Sequence, residues 1–369
     1  VTLSADLTVA AQAALTLEQQ LAADATTIAA LRSQLATVTA QRDAALAADA
    51  LDTATIADLT AKLAAATQPV PAPVPVPTPT GQSWVDHIGI ACHLHYSGTP
   101  GAASPAIKAV LGSLGVKHIR DGWGIGWNGG ATPDPCDAFM RDLFTTFGIK
   151  ITFVCDPRDG GVIADRVKHL SKLASWGVLD AIEMPNEWDG ARFTANGWSV
   201  ADANWVAQLR SWCNQIIPLL KGDPAAGSVP IVAPSMASTN DTTRYTAVGP
   251  IAGLGFGNTH DYPGKDLAMN ATILAAVKKN SPIIAPGVPI VATETGFSTL
   301  AGDWPAVTPQ QQADKTVDLL TQHRAAGLAR TFIYKLAPSN AGWRDGLALV
   351  NNDLSPKPVF TAVKTLVTV

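Results

Sequence analysis

Only 15% of the 369 residues are charged, and 26 Lys and Arg fall short of 30 Asp and Glu, for a net charge of −4. A chain with no basic surplus lacks the surface that nucleic-acid binding needs, and that partner class is set aside. Cysteine is scarce as well. Cys92, Cys136, Cys155 and Cys213 have no CxxC spacing for zinc or redox chemistry and are too few for a disulfide scaffold, so they read as small buried apolar residues. No uninterrupted apolar run approaches 18 residues, so no membrane-spanning helix is expected. The N-terminus shows no basic segment leading into an apolar stretch, the mark of a secretion signal. What the chain does have is 47% hydrophobic residues, enough for a substantial core.

Absences also divide the chain. Residues 3–66 contain no Gly, Pro or aromatic, and their apolar residues recur every seven positions. One seam reads Leu7, Ala14, Leu21, Ile28, Leu35, Ile56, Leu63; the other reads Leu3, Ala10, Leu17, Leu31, Val38, Ala45, Leu59. Such a heptad stripe predicts an α-helical coiled coil over 1–67 that self-associates into a parallel homo-oligomer, read as a trimer, with Asp24, Arg42, Asp49 and Asp52 weakening the seam. The run "TQPVPAPVPVPTPT", 67–80, then alternates proline in a way that forbids helix and favours an extended spacer, so 68–83 is read as a linker.

From residue 84 to the end, short β-like runs alternate with helix-like ones, the pattern of βα units around a parallel sheet. Eight β-like runs occur: "HIGIACHL", "VKHIRD", "IKITFVCD", "LDAIEMPNE", "VPIVAPS", "GFGNTHDY", "VPIVATET" and "RTFIYKL". Eight runs in about 285 residues predict an α/β fold of the (β/α)8 TIM-barrel class over 84–369, with a doubly wound open sheet as the alternative. A barrel carries its chemistry at the C-terminal ends of its strands. Polar residues collect there: His93 and His95 at the end of the first run, Arg120 and Asp121 at the second, Asp156 at the third, Asn186 and Glu187 at the fourth, His260 and Tyr262 at the sixth, Glu294 at the seventh.

"PNEW" closing the fourth run, "HDY" the sixth, "TETGF" the seventh and Arg120 the second resemble the clan A glycoside hydrolases, retaining (β/α)8 enzymes that include cellulase-like and β-xylosidase-like families. The resemblance spans 84–369 and reaches the tail "GLALVNNDLSPKPVFTAVKTL". It implies a sugar-cleaving enzyme that needs no cofactor or metal, with Glu187 as acid/base and Glu294 as nucleophile. Arg120, His260 and Tyr262 would hydrogen-bond Glu294 and keep it ionised, and Asn186 would donate to the sugar 2-hydroxyl.

His93 and His95 lie two apart on one strand, a metal-capable spacing, but no third ligand accompanies them by motif, so contact with sugar hydroxyls is the preferred reading. Asp156 is assigned to the same wall. Trp123, Trp127, Trp188, Trp304 and Trp343 fall on predicted strand-end loops and are candidates for stacking on sugar rings, whereas Trp176, Trp205 and Trp212 fall in helical segments and read as core. Where many clan members carry tryptophan at the end of the eighth strand, this chain reads "FIYKLAPSN", which leaves Tyr334 or Trp343 as the floor of the sugar site. A polysaccharide or glycoconjugate is the expected substrate. A coil, a stiff arm and a cleaving head suit a depolymerase attached to a surface or a virion, hence an extracellular or virion-associated one; a sugar-binding barrel without catalysis, displayed on the same stalk, is the alternative.

Overall fold

Eight of the strands in the computed structural model are parallel and alternate with helices. The structure describes residues 83–124, 135–159, 162–190, 194–195, 198–199, 204–263, 271–301, 306–339 and 345–369, together with Gln12. The coiled-coil reading of 1–67 and the linker reading of 68–83 therefore fall almost wholly outside the described residues. So do Trp127, Trp304 and Trp343.

The strands are β1 Ile88–Ala91, β2 His118–Asp121, β3 Lys150–Val154, β4 Leu179–Glu183, β5 Ile231–Val232, β6 Gly257–His260, β7 Ile290–Thr295 and β8 Arg330–Ile333. All eight fall within the runs singled out from the sequence. Hydrogen-bonded neighbours follow the order β5-β4-β3-β2-β1-β8-β7-β6. A parallel bridge between Val232 and Phe256 joins the two ends of that order, supported by Ala233 N donating to Phe256 O at 2.9 Å. The sheet thus closes on itself, which decides for the barrel over the open sheet. Gly124, Gly126 and Gly129 have the spacing of a dinucleotide fingerprint, but that fingerprint works at the crevice of an open sheet, and a closed one offers no such crevice.

A short helical turn, Trp84–His87, precedes β1, and the helices that follow the strands are α1 Pro105–Leu114, α2 Pro135–Phe147, α3 Ile163–Ser175, α4 Trp205–Gly222, α5 Thr242–Val248, α6 Ala271–Ile284, α7 Pro309–Ala325 and α8 Pro358–Val367. Their boundaries have local causes. α1 begins with Ser104 accepting from Ile107 N and Pro105 in the first turn, and ends where Gly115 takes φ +88°, a conformation glycine adopts at little cost. α7 starts with a capping box between Thr308 and Gln311. One face of each helix turns inward: Ile107, Leu111 and Leu114 of α1, Leu170 and Leu173 of α3, and Leu209, Trp212, Ile216 and Leu220 of α4 are all buried in a single core with the outer faces of the strands.

Inside the barrel, Gly89 on β1 leaves space for the Phe332 ring of β8; a Cβ at Gly89 would lie 2.3 Å from it. Toward the mouth the interior turns polar. Arg120 of β2, Glu183 of β4 and Asn258 of β6 are all buried, and they come from alternate strands, as side chains of one barrel layer do. A layer that is usually aliphatic is here a hydrogen-bonded floor beneath the mouth.

Candidate active site

Arg120 is the hub of that floor. It donates from Nε to Glu183 Oε2 at 2.6 Å, from Nη2 to Glu183 Oε1 at 2.9 Å and to Asn186 Oδ1 at 2.6 Å, and from Nη1 to Glu294 Oε1 at 2.6 Å. Four of the five guanidinium N–H groups are thereby matched. Glu183, fully buried, also accepts from Asn258 Nδ2 at 3.1 Å and from Thr293 Oγ1 at 3.1 Å. A carboxylate so deep is tolerable only because cation and amide donors surround it.

Glu294 lies at the C-terminal end of β7, one residue before its last, and takes a second bond from Tyr262 Oη at 2.9 Å. Burial alone would push its carboxyl up, but the charges of His260 and Arg120 and the hydrogen bonds from Tyr262 and Arg120 outweigh it and hold it at about 2. Glu294 is therefore an anion throughout the ordinary pH range. Arg120 and Tyr262 sit where the sequence reading put them.

His260 does not. The expected bond from His260 to Glu294 is replaced by one to the other glutamate: His260 Nδ1 lies 2.8 Å from Glu187 Oε1 and 3.7 Å from Glu294 Oε2. The cause is the ring's other nitrogen, which is anchored to Thr293 Oγ1 at 3.0 Å and turns Nδ1 toward β4. Burial pushes the imidazole down, yet the Glu294 charge and the bond to Glu187 push it up further, so the protonated ring is favoured between the two carboxylates.

Glu187 follows β4 on a tight turn and has φ +44°, a left-handed conformation that costs a non-glycine residue on the order of 1 kcal/mol. Its neighbours enforce it. Glu187 N donates to Ser235 Oγ at 3.0 Å, and Gly190 N donates back to Glu187 O at 3.0 Å. Asn186 N donates to Asp156 Oδ2 at 3.0 Å, while Asp189 is held by Ala237 N and Arg244 Nη1, each at 2.7 Å. The result projects Glu187 back over the mouth, where one oxygen of Glu187, one of Glu294 and a His260 nitrogen lie within 4.8 Å of one another. These three atoms could in principle hold a divalent cation. A metal needs a neutral imidazole, however, and here the ring is pushed toward its protonated form while Arg120 already faces Glu294, so the geometry suits a proton better.

Next to this pair lies a cavity of about 470 Å³ lined by His93, His95, Asp156, Asn186, Glu294 and Tyr334 among others. Asn186 Oδ1 accepts from Arg120, which leaves its Nδ2 end as the donor. His93 stacks on Tyr96 with ring centroids 4.9 Å apart and meets the Tyr334 ring edge-on at 5.4 Å. His95 Nδ1 lies 3.3 Å from Asp121 Oδ1.

Three tryptophan and aspartate readings need correction. Trp188 is completely buried, with the Arg158 guanidinium 5.7 Å from its ring, so it cannot stack on a substrate. Trp123 is likewise buried, its Nε1 donating to Asp137 Oδ1 at 2.9 Å. Asp156 borders the cavity, but its oxygens accept from Arg158 N at 2.9 Å, Arg158 Nε at 2.7 Å and Asn186 N, so it braces the end of β4. Trp212 is core, as read, and Trp176 and Trp205 pack against it half-buried. The sequence reading missed Asn258, Thr293, Ser235, Tyr96 and Glu183; a charged residue inside the apolar run "LDAIE" was the signal for Glu183.

No family model matches the chain, and no curated protein matches it. Solved structures do. A family 39 glycoside hydrolase from the gut symbiont Bacteroides cellulosilyticus WH2 superposes with a TM-score of 0.53 at 13% identity, over 77% of this chain and 64% of that one. A fungal β-1,4-galactanase gives 0.52 at 12% identity, over 74% and 93%. An active-site mutant of a Rhizomucor miehei β-1,3-glucanosyltransferase, in complex with laminaritriose, gives 0.50 at 12% identity, over 75% and 97%. The likeness to clan A glycoside hydrolases is borne out in the fold. At these identities it extends no further, and this chain spans slightly less than two thirds of the family 39 protein.

Proposed function

We propose that the barrel is a retaining glycoside hydrolase that cleaves a polysaccharide or glycoconjugate by double displacement. The observation that carries this reading is the approach of Glu187 and Glu294 oxygens to within 4.8 Å. Retaining enzymes hold their two carboxyl groups about 5–5.5 Å apart, whereas inverting ones leave roughly 6.5–9.5 Å for a water. Glu294, ionised and gripped by Arg120 and Tyr262, is the nucleophile that attacks the anomeric carbon. Glu187 gives its proton to the departing oxygen, a glycosyl ester forms on Glu294, and Glu187 then takes a proton from the water that hydrolyses it. His260 holds Glu187 in position, and Asn186 Nδ2 is suited to donate to the 2-hydroxyl.

Incubation with activated 2-fluoro glycosides, followed by peptide mass spectrometry, should find the label on Glu294, and NMR of early product should show the substrate's own anomer. Labelling at another residue, or the opposite anomer, would sink the mechanism.

The heptads of residues 3–66 support a parallel homo-oligomer, read as a trimer, that carries the heads on a proline-rich arm, in keeping with an extracellular or virion-associated depolymerase. Light scattering of the full chain at micromolar concentration tests this. A monomer rules it out.

A further inference from the structure

The cavity beside Glu294 shows an imbalance of charge. Among the described residues lining it are four carboxylates, Asp121, Asp156, Asp159 and Glu294, and two guanidiniums, Arg120 and Arg158. Both guanidiniums are already matched. Arg120 faces Glu183 and Glu294, and Arg158 closes on Asp156 through Nε at 2.7 Å and through Nη2, which also reaches the Asn186 carbonyl. Neither offers an unopposed fork to a ligand. Asp121 has its own partners, Leu94 N at 2.6 Å, Gly122 N at 2.7 Å and the His95 ring. Asp159 differs, because its carboxyl has no hydrogen-bond partner among the described residues although it is half-buried on the cavity wall.

The cavity is also on one side of the catalytic pair. Glu294 lines it and Glu187 does not. A nucleophile touches the sugar whose anomeric carbon it attacks, whereas the acid/base faces the leaving group, so this space belongs to the glycone. At its rim Tyr96 is 41% exposed, the largest exposure of any aromatic ring bordering the cavity, and its ring is held by stacking on His93 and by edge contact with His95 at 4.3 Å. A preset, exposed ring offers an apolar sugar face a surface to lie on without ordering cost.

We propose that this cavity binds a glycone bearing no acidic group, with Asp159 as the specificity-determining residue and Tyr96 as the platform. Hydroxyl groups can donate to carboxylates in charge-assisted hydrogen bonds, so an uncharged sugar is served by this wall. A uronic acid would instead bury its carboxylate among like charges with no free cation among the described residues, which is the kind of unpaired polar burial that builds specificity. The inference rests on the glycosidase reading for the direction of the cavity but is tested by binding, independently of turnover.

The probes are matched pairs of aryl thiohexosides and thiohexuronides of gluco, galacto and manno configuration, which resist hydrolysis, titrated calorimetrically into the full-length protein. In the configuration bound best, the hexoside should bind at least tenfold more tightly than its uronide. Asp159→Asn should shrink that ratio at least threefold, and Tyr96→Ala should weaken the hexoside several-fold. A uronide bound as well as its hexoside, a ratio unmoved by Asp159→Asn, or no binding by any pair overturns the proposal; the ratio in the unaltered protein decides even if a variant fails to fold. The corresponding O-glycosides separate the two readings. Tight hexoside binding without hydrolysis sinks the catalytic reading and leaves this one, while efficient hydrolysis of uronides does the reverse.

Discussion

At the bottom of the barrel Asp180 of β4 faces the His118 ring, with Nδ1 at 2.9 Å, and the Arg330 guanidinium, and Arg330 Nε also donates to Asp86 O at 3.1 Å. At the mouth, Glu183, Glu187 and Glu294 crowd around Arg120 and His260. Similar residue types are thus used to opposite ends. Below, one carboxylate is shared by a guanidinium and an imidazole, and both contacts favour the folded chain. Above, two carboxyl groups lie within 4.8 Å of one another, one of them on a residue with φ +44°, an arrangement that costs stability and fits the chemistry proposed for the pair. On the proposed function, stability and chemistry are segregated along the barrel axis.

The largest expected effect tests the upper half of that statement. If Glu294 is the nucleophile as proposed, Glu294→Gln should lower kcat/KM by about 10⁴-fold or more, because the attacking oxygen is gone. The protein should still fold, since Arg120 keeps its bidentate pair with Glu183. Its stability loss is bounded by linkage: a carboxyl held at about 2 instead of 4.5 contributes roughly 3 kcal/mol, present above pH 4.5 and lost as pH falls through 2. Urea titrations at pH 7 and pH 3 should therefore differ less for the variant than for the unaltered protein. Substantial residual turnover would remove Glu294 from the chemistry.

Glu183→Gln probes the joint between the two halves. Removing one partner of a buried ion pair costs about 3–5 kcal/mol, softened here by Glu294 on the same Arg120. Activity should fall roughly a hundredfold as Arg120 loses its fixed grip on Asn186 and Glu294. Full activity per folded molecule would make Glu183 a purely structural residue.

How far the sequence revealed this division follows from what strand periodicity encodes. The placement of Arg120, Glu187 and Glu294 at strand ends was legible, because eight β-like runs at regular spacing fix which residues reach a barrel mouth. The partner of each side chain was not. His260 was assigned to Glu294, and nothing in "HDY" shows that Thr293, on the neighbouring strand, turns the ring to Glu187. Trp123 and Trp188 were read as candidates for stacking on sugar rings because they follow strands, but a residue's place in a loop does not say whether its ring turns out to the mouth or back beneath the loop. Tyr96 went unnoticed because exposure is a property of the folded surface.

At the bottom, Asp180→Asn should cost about 1–3 kcal/mol, since Arg330 and His118 lose their shared carboxylate at a partly exposed position. This is comparable to the bound set for Glu294→Gln, and that equality makes the comparison sharp. Chemical denaturation should show two variants of similar stability, of which only the mouth variant is inactive. A fall in kcat/KM beyond about threefold for Asp180→Asn, measured where the protein is folded, would break the segregation.

At neutral pH the smallest effect concerns His87, fully buried just before β1, whose contribution appears only in acid. Burial, aided by the positive charges of His323, Arg324 and Arg330 and opposed by a hydrogen bond to the Ala329 backbone, lowers this imidazole from 6.5 to about 4. The unfolded chain therefore takes up the proton first. Stability is undiminished above pH 6.5 and declines as pH falls from 6.5 toward 4, by roughly 3 kcal/mol for a shift of this size. His93 at the mouth is lowered to about 4 as well, chiefly by burial, so the two ends contribute similar acid sensitivity from opposite positions. His87→Phe should flatten the stability profile between pH 6.5 and 4 by about half of their joint contribution, with no change in kcat/KM at pH 7.5. His93→Phe should flatten it likewise but weaken substrate binding, because that ring borders the cavity. Urea midpoints recorded at half-unit pH intervals distinguish the outcomes: a His87→Phe profile parallel to that of the unaltered protein would mean that His87 already accepts its proton in the folded barrel, and that acid sensitivity resides at the mouth alone.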